Sequence, residues 1–147
     1  GMPSEWELTY SLNPYDAYDG VLDGDSDGLT NLQEFRFGSE PNATDSDGDT
    51  ISDNTEVFTT HTHPGLSDTD ADGRADNVDT FPLDVTEWVD TDTDGTGNNA
   101  DTDDDNDSYA DNVDAYPLDP NQHDGNFIYP LNGIYKGSVI NDDASVQ

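Results

Sequence analysis

Five times in 147 residues the chain places aspartates on three alternate residues. Each triplet is followed by Asp or Asn four residues on, and by an acid three further. The copies begin at Asp23, Asp45, Asp68, Asp90 and Asp103. Like charges so close repel strongly unless something neutralises them. The spacing puts oxygens at positions 1, 3, 5, 9 and 12 of a short loop, as wrapping chain around one hard divalent cation requires. Six or seven oxygens suit calcium better than magnesium, which demands rigid octahedral geometry and keeps its waters. Asp is so frequent that a bare triplet is expected about once by chance, but the two added positions lower this to about a tenth of a match.

Loop one offers Asp23, Asp25, Asp27, Asn31 and Glu34, with Gly28 at position 6 for the sharp turn, and matches the EF-hand loop at each polar position. Loop two offers Asp45, Asp47, Asp49, Asp53 and Glu56; loop three Asp68, Asp70, Asp72, Asp76 and Asp79. Loop four offers Asp90, Asp92, Asp94, Asn98 and Asp101; loop five Asp103, Asp105, Asp107, Asp111 and Asp114. Position 7 of such a loop binds through its backbone carbonyl, so Leu29, Ile51, Arg74, Thr96 and Tyr109 are all acceptable there. Position 6 is Thr50 in loop two and Ser108 in loop five, where a left-handed or bridge conformation carries a cost and a less ideal site is expected. Position 12 is Glu in the first two loops and Asp in the last three, so the two groups should differ in geometry.

Composition points the same way. With 35 acidic against 3 basic residues, a net charge of −32 and 30% hydrophobic residues, the chain cannot bury enough apolar surface to fold alone. Regular Asp spacing separates it from plain disorder, and 23 of its acids hold side-chain ligand positions of the five loops. Five calcium ions would add ten positive charges and bring −32 to −22, so binding and folding should be coupled. A surface this acidic repels nucleic acid and anionic headgroups. No apolar run approaches the length of a membrane span, and no signal peptide is evident. Gly1-Met2-Pro3 reads as the edge of an excised fragment, and the absence of cysteine removes disulfide staples.

Loop starts are 22, 23, 22 and 13 residues apart, and Ala75–Asp84 recurs 35 residues on as Ala110–Asp119, periods that indicate an array of small units. Short helices are expected over Glu5–Leu12, Leu29–Phe37 (stopped by Gly38) and Ser52–Thr59, with extended or turn segments after loop three. The expected fold class is mostly irregular, a metal-organised repeat array with a few short helices and little regular sheet. Residues 1–22 would be a helical lead-in and 23–125 the array. Residues 126–147 would be a cap, as a hairpin around Asn132-Gly133, or the start of a following domain.

The loops and intervals resemble thrombospondin type 3 repeats in a bacterial, cysteine-free form. Asp45–Ser67 is similar to the short motif, and the stretch from Asp68 past Tyr109 to the long motif with two close loops. Asp23–Glu34 is similar to the opening repeat, and Trp6–Pro14 to the segment before it. The resemblance covers roughly residues 4–125. It implies a calcium-replete chain wrapped around a row of five or more ions, in a secreted or surface protein, commonly as a connector between domains. It also makes Asp84, Asp104 and Asp119 candidates for further ions. The function expected is a non-enzymatic, calcium-stiffened spacer or adhesion segment of a larger secreted or cell-surface bacterial protein. Its partners would be other domains of the parent chain, or a surface protein or glycan. The rival readings are a dockerin-like recognition module, or a tether for a secreted enzyme. Extracellular calcium sites bind at about 10⁻⁴–10⁻³ M, and at millimolar calcium each adds only about 0.4–1.4 kcal/mol, which favours an extracellular setting. No pair of acids stands out as a glycosidase couple. His61 and His63 lack a third zinc ligand and read as a linker. Trp6, Phe81, Trp88 and Tyr116 read as plugs between loops.

Overall fold

The computed structural model describes residues 1–123. The chain is mostly irregular, with a few short helices and, among the described residues, no strand. The expected C-terminal hairpin lies outside the described residues.

Helix α1 spans Ser4–Thr9 and ends three residues short of the expected Leu12. After Tyr10 the backbone turns left-handed at Ser11 (φ 64°), and Leu12 N–H returns to Glu7 O at 2.7 Å. Helix α2 spans Asn31–Phe37. It opens on a capping box in which Thr30 and Gln33 exchange side-chain and backbone bonds, and it stops at Gly38 (φ 89°), as left-handed glycine caps do. Helix α3 (Asp53–Thr55) is capped by Ser52 and widens into a π-turn over Glu56–Thr60. Single 3-10 turns occupy Asp19–Val21 and Asp76–Val78.

Aromatic contacts tie these pieces together. Trp6 of α1 lies edge-on to Phe35 of α2 at 5.4 Å, and Phe37 lies edge-on to Phe58 of the π-turn at 6.4 Å. Yet Leu29 is the only buried hydrophobic residue among those described, whereas twelve polar or charged residues are buried, nine of them carboxylates. That inverts the ordinary distribution, in which Asp and Glu are almost never fully buried unless paired.

The 35-residue period is structural as well as sequential. Arg74, at position 7 of loop three, lies over the Trp88 ring at 5.2 Å. Tyr109, at position 7 of loop five, stacks on His123 with centroids 4.0 Å apart. Thr80 N–H bonds Trp88 O, and Ala115 N–H bonds His123 O. Loops three and five are therefore equivalent units, each closed by a stack from position 7 to the residue 14 further on.

All five loops share one backbone path. Position 6 has positive φ in every loop, at Gly28, Thr50, Gly73, Gly95 and Ser108, and so does position 4, at Ser26, Gly48, Ala71, Thr93 and Asn106. Six of these ten are not glycine, so the loops hold a costly conformation repeatedly. Ser108→Gly keeps the N–H that bonds Asp103 (3.1 Å) while relieving the strain at φ 80°. It should stabilise the folded chain by about 1 kcal/mol, measured by thermal or denaturant unfolding.

Candidate metal centres

Each loop is wound on the same hydrogen bonds, which fix where its carboxylates point. The position 1 carboxylate accepts the position 6 N–H in all five loops, at 2.9–3.1 Å. Position 3 accepts the N–H of position 5 at 3.0–3.2 Å. Position 5 accepts the N–H of position 7 at 2.7–2.8 Å. Every triplet carboxylate thus has at least one oxygen held by the backbone; Asp23, Asp45 and Asp90 have both, through the position 4 N–H as well. The result is five triplets, Asp23-Asp25-Asp27, Asp45-Asp47-Asp49, Asp68-Asp70-Asp72, Asp90-Asp92-Asp94 and Asp103-Asp105-Asp107. In each, one oxygen per residue lies within 4.8 Å of the others, a distance compatible with a shared metal ion.

Position 12 carries a buried carboxylate oxygen without a hydrogen-bond donor in four loops. In loop three, Asp68 Oδ1, Asp70 Oδ2, Asp72 Oδ2 and Asp79 Oδ2 are buried without a hydrogen-bond donor. In loop five the same holds for Asp103 Oδ1, Asp105 Oδ2, Asp107 Oδ2 and Asp114 Oδ2. In loop one both oxygens of fully buried Glu34 and Asp25 Oδ2 are so placed; in loop two it is Glu56 Oε2, Asp47 Oδ2 and Asp49 Oδ2. Glu56 turns its other oxygen to the Thr62 hydroxyl at 3.1 Å. Loop four differs. Asp94 is exposed, Asp101 is bonded by the N–H groups of Thr102 and Asp103, and no carboxylate oxygen there is both buried and unpartnered. Enclosure does not track the residue at position 6: loop five, with Ser108, has four such oxygens and loop four, with Gly95, has none. At position 7 none of the carbonyls of Leu29, Ile51, Arg74, Thr96 and Tyr109 accepts a backbone hydrogen bond, which leaves them free for a cation.

Position 9, expected to offer an oxygen to the cation, also braces the loop, and in loop one Asn31 Oδ1 is buried without a donor. Its N–H bonds the carbonyl of the residue before position 1 in every loop, at 2.8–3.1 Å. Its side chain meets position 2. Asp53 accepts Ser46 N–H (2.8 Å) and Oγ (2.6 Å), and Asp76 accepts Thr69 N–H and Oγ1 at the same distances. Asn98 pairs with Thr91, and Asp111 accepts Asp104 N–H. In loop one Gly24 holds position 2, and Asn31 gives its amide to Asp19 O. The signal for this closure was the hydroxyl residue at position 2 in three loops. Of the extra candidates, Asp84 caps Thr86 and Asp119 caps Asn121 and Gln122, while Asp104 Oδ1 is buried without a donor.

No family model matches the chain, and no curated protein matches it.

Without an ion, burial, reinforced by the charges of Asp25 and Asp27, pushes Glu34 up to about 8, and burial pushes Glu56 to about 8. Burial likewise raises Asp25, Asp47, Asp79 and Asp105. Raised carboxyls bind more protons in the folded chain than in the unfolded one. Ion-free stability therefore falls as pH rises from the ordinary glutamate value towards 8. The ion-free chain should be more compact and melt higher at pH 5 than at pH 8. With a divalent ion bound the order should reverse, since protons then compete with the ion. Circular dichroism melts in metal-stripped and metal-loaded buffer at the two pH values check both halves.

Proposed function

We propose that the chain is a non-enzymatic calcium-binding array that serves as a stiffened spacer or adhesion segment of a larger secreted or cell-surface bacterial protein. The observation that carries this reading is the set of buried, donor-less oxygens at positions 1, 3, 5 and 12 of loops three and five, at 3, 5 and 12 of loop two, and at 3 and 12 of loop one. A buried carboxylate oxygen without a donor is costly, and a hard cation with six to eight oxygen ligands removes the cost. Three aspartates, a position 12 carboxylate and a position 7 carbonyl make most of such a shell, and water at position 9 supplies more. Loop four, more open, is the weakest site in this reading.

The ions replace the missing interior. At millimolar calcium five sites of ordinary extracellular affinity contribute about 2–7 kcal/mol together, comparable to the net stability of a small domain. At cytosolic calcium that support is lost, which is why the setting proposed is extracellular. The likeness of the loops to thrombospondin type 3 repeats agrees with a connector role, with neighbouring domains of the parent chain, or a surface protein or glycan, as partners.

One observation favours the dockerin-like rival. Loops one and two are each followed by a helical stretch, and Phe37 and Phe58 stand half-exposed on them. The three further loops, followed only by turns, fit the array better.

Small-angle scattering separates calcium-loaded from chelated chain. A fixed, rod-like envelope in calcium should give way to a larger, variable radius of gyration in EGTA. Identical profiles in the two buffers would refute the proposal.

A further inference from the structure

We propose that loops one and two fill as one coupled pair, because loop two holds a ligand of loop one; the inference rests on the calcium reading above and names how two of its sites are regulated. Asp27, at position 5 of loop one, accepts the Leu29 N–H on Oδ1 at 2.7 Å, as the equivalent residue does in every loop. Its Oδ2 accepts the backbone N–H of Asn54 at 3.1 Å, from 27 residues further along the chain.

Asn54 lies in the first turn of α3, where N–H groups have no partner within the helix. The start of α3 is set by loop two. Fully buried Asp53 accepts the N–H and hydroxyl of Ser46, which lies between the candidate ligands Asp45 and Asp47, and Asp53 N–H bonds Thr44 O at 3.1 Å. The Asn54 amide therefore meets Asp27 only when loop two is closed. The Asn54 side chain also lies over the turn of loop one, where a Cβ on Gly28 would come within 2.9 Å of Nδ2. The two loops share an electrostatic field as well: the charge of Asp53 bears on Glu34, and those of Asp25 and Asp27 bear on Asp53. A cation in either loop relieves repulsion in both.

The next two joints lack this connection. Between loops two and three, Asn77 Nδ2 bonds Thr50 Oγ1 at 3.0 Å, and neither side chain is a candidate ligand. Before loop four, the Asn99 N–H bonds Glu87 Oε2 at 3.0 Å, and Glu87 lies outside the loop positions that face a cation. Of these three joints only the first passes through a ligand carboxylate.

Coupling between two binding events is reciprocal, so the test has two arms. The amides of Gly28, Gly48 and Gly73, each bonded to the position 1 carboxylate of its own loop, report loops one, two and three in an NMR titration of the full chain with calcium. In Asp47→Ala, which removes a loop two ligand, the Gly28 midpoint should move to about tenfold higher calcium. In Asp25→Ala, which removes a loop one ligand, the Gly48 midpoint should move by a similar factor. In both variants Gly73 should stay within about twofold. Gly28 and Gly48 midpoints unmoved by the distant substitution would overturn the pairing, and so would a Gly73 shift as large as theirs. If none of the three amides responds to calcium in the unaltered chain, the calcium reading fails and the pairing fails with it.

Discussion

The fold depends on crowding carboxylates to within 4.8 Å of one another in five places and on whatever neutralises them. Ordinary domains bury apolar area and gain roughly 25 cal/mol for each Å² removed from water. With one buried hydrophobic residue, Leu29, among those described, that term is close to absent. Backbone N–H groups offset part of the repulsion by binding at least one oxygen of each triplet carboxylate. The buried oxygens left without donors, in loops one, two, three and five, set the remaining cost. Every other feature serves that arrangement: left-handed residues at positions 4 and 6 wind the loop, position 9 closes it, and stacks or short helices separate one loop from the next.

Much of this was legible because the loop is a local object. Side-chain spacing along a twelve-residue turn determines which oxygens can converge, so positions 1, 3, 5 and 12 could be read without knowing what surrounds them. The turn at position 6 was equally legible, and Thr50 and Ser108 do adopt positive φ. The left-handed position 4 was not, because Ser26, Ala71, Thr93 and Asn106 share no residue type that announces it. Position 9 reads as an oxygen donor to a cation; in loops two to five its side chain is also engaged by position 2, and both uses need an acid or amide at the same place. The joints were invisible for a different reason. The contact of Asn54 with Asp27 depends on how one unit lies against the next, which no local pattern specifies.

The helices show where local propensity ends. Helix α2 forms where expected because Thr30, Gln33 and Gly38 supply both caps. Helix α1 stops early because the backbone turns left-handed at Ser11 and the chain folds back to let Asp19 accept Asn13 N–H at 2.9 Å. Helices this short gain their stability from what they pack on, and here they pack on loops.

The central claim is that bound divalent ions take the place of an apolar interior. Differential scanning calorimetry of the full chain in millimolar calcium and in excess EDTA tests it most directly. The account requires one or more cooperative unfolding transitions in calcium and their loss in EDTA. A transition of the same midpoint and enthalpy in both buffers would contradict it.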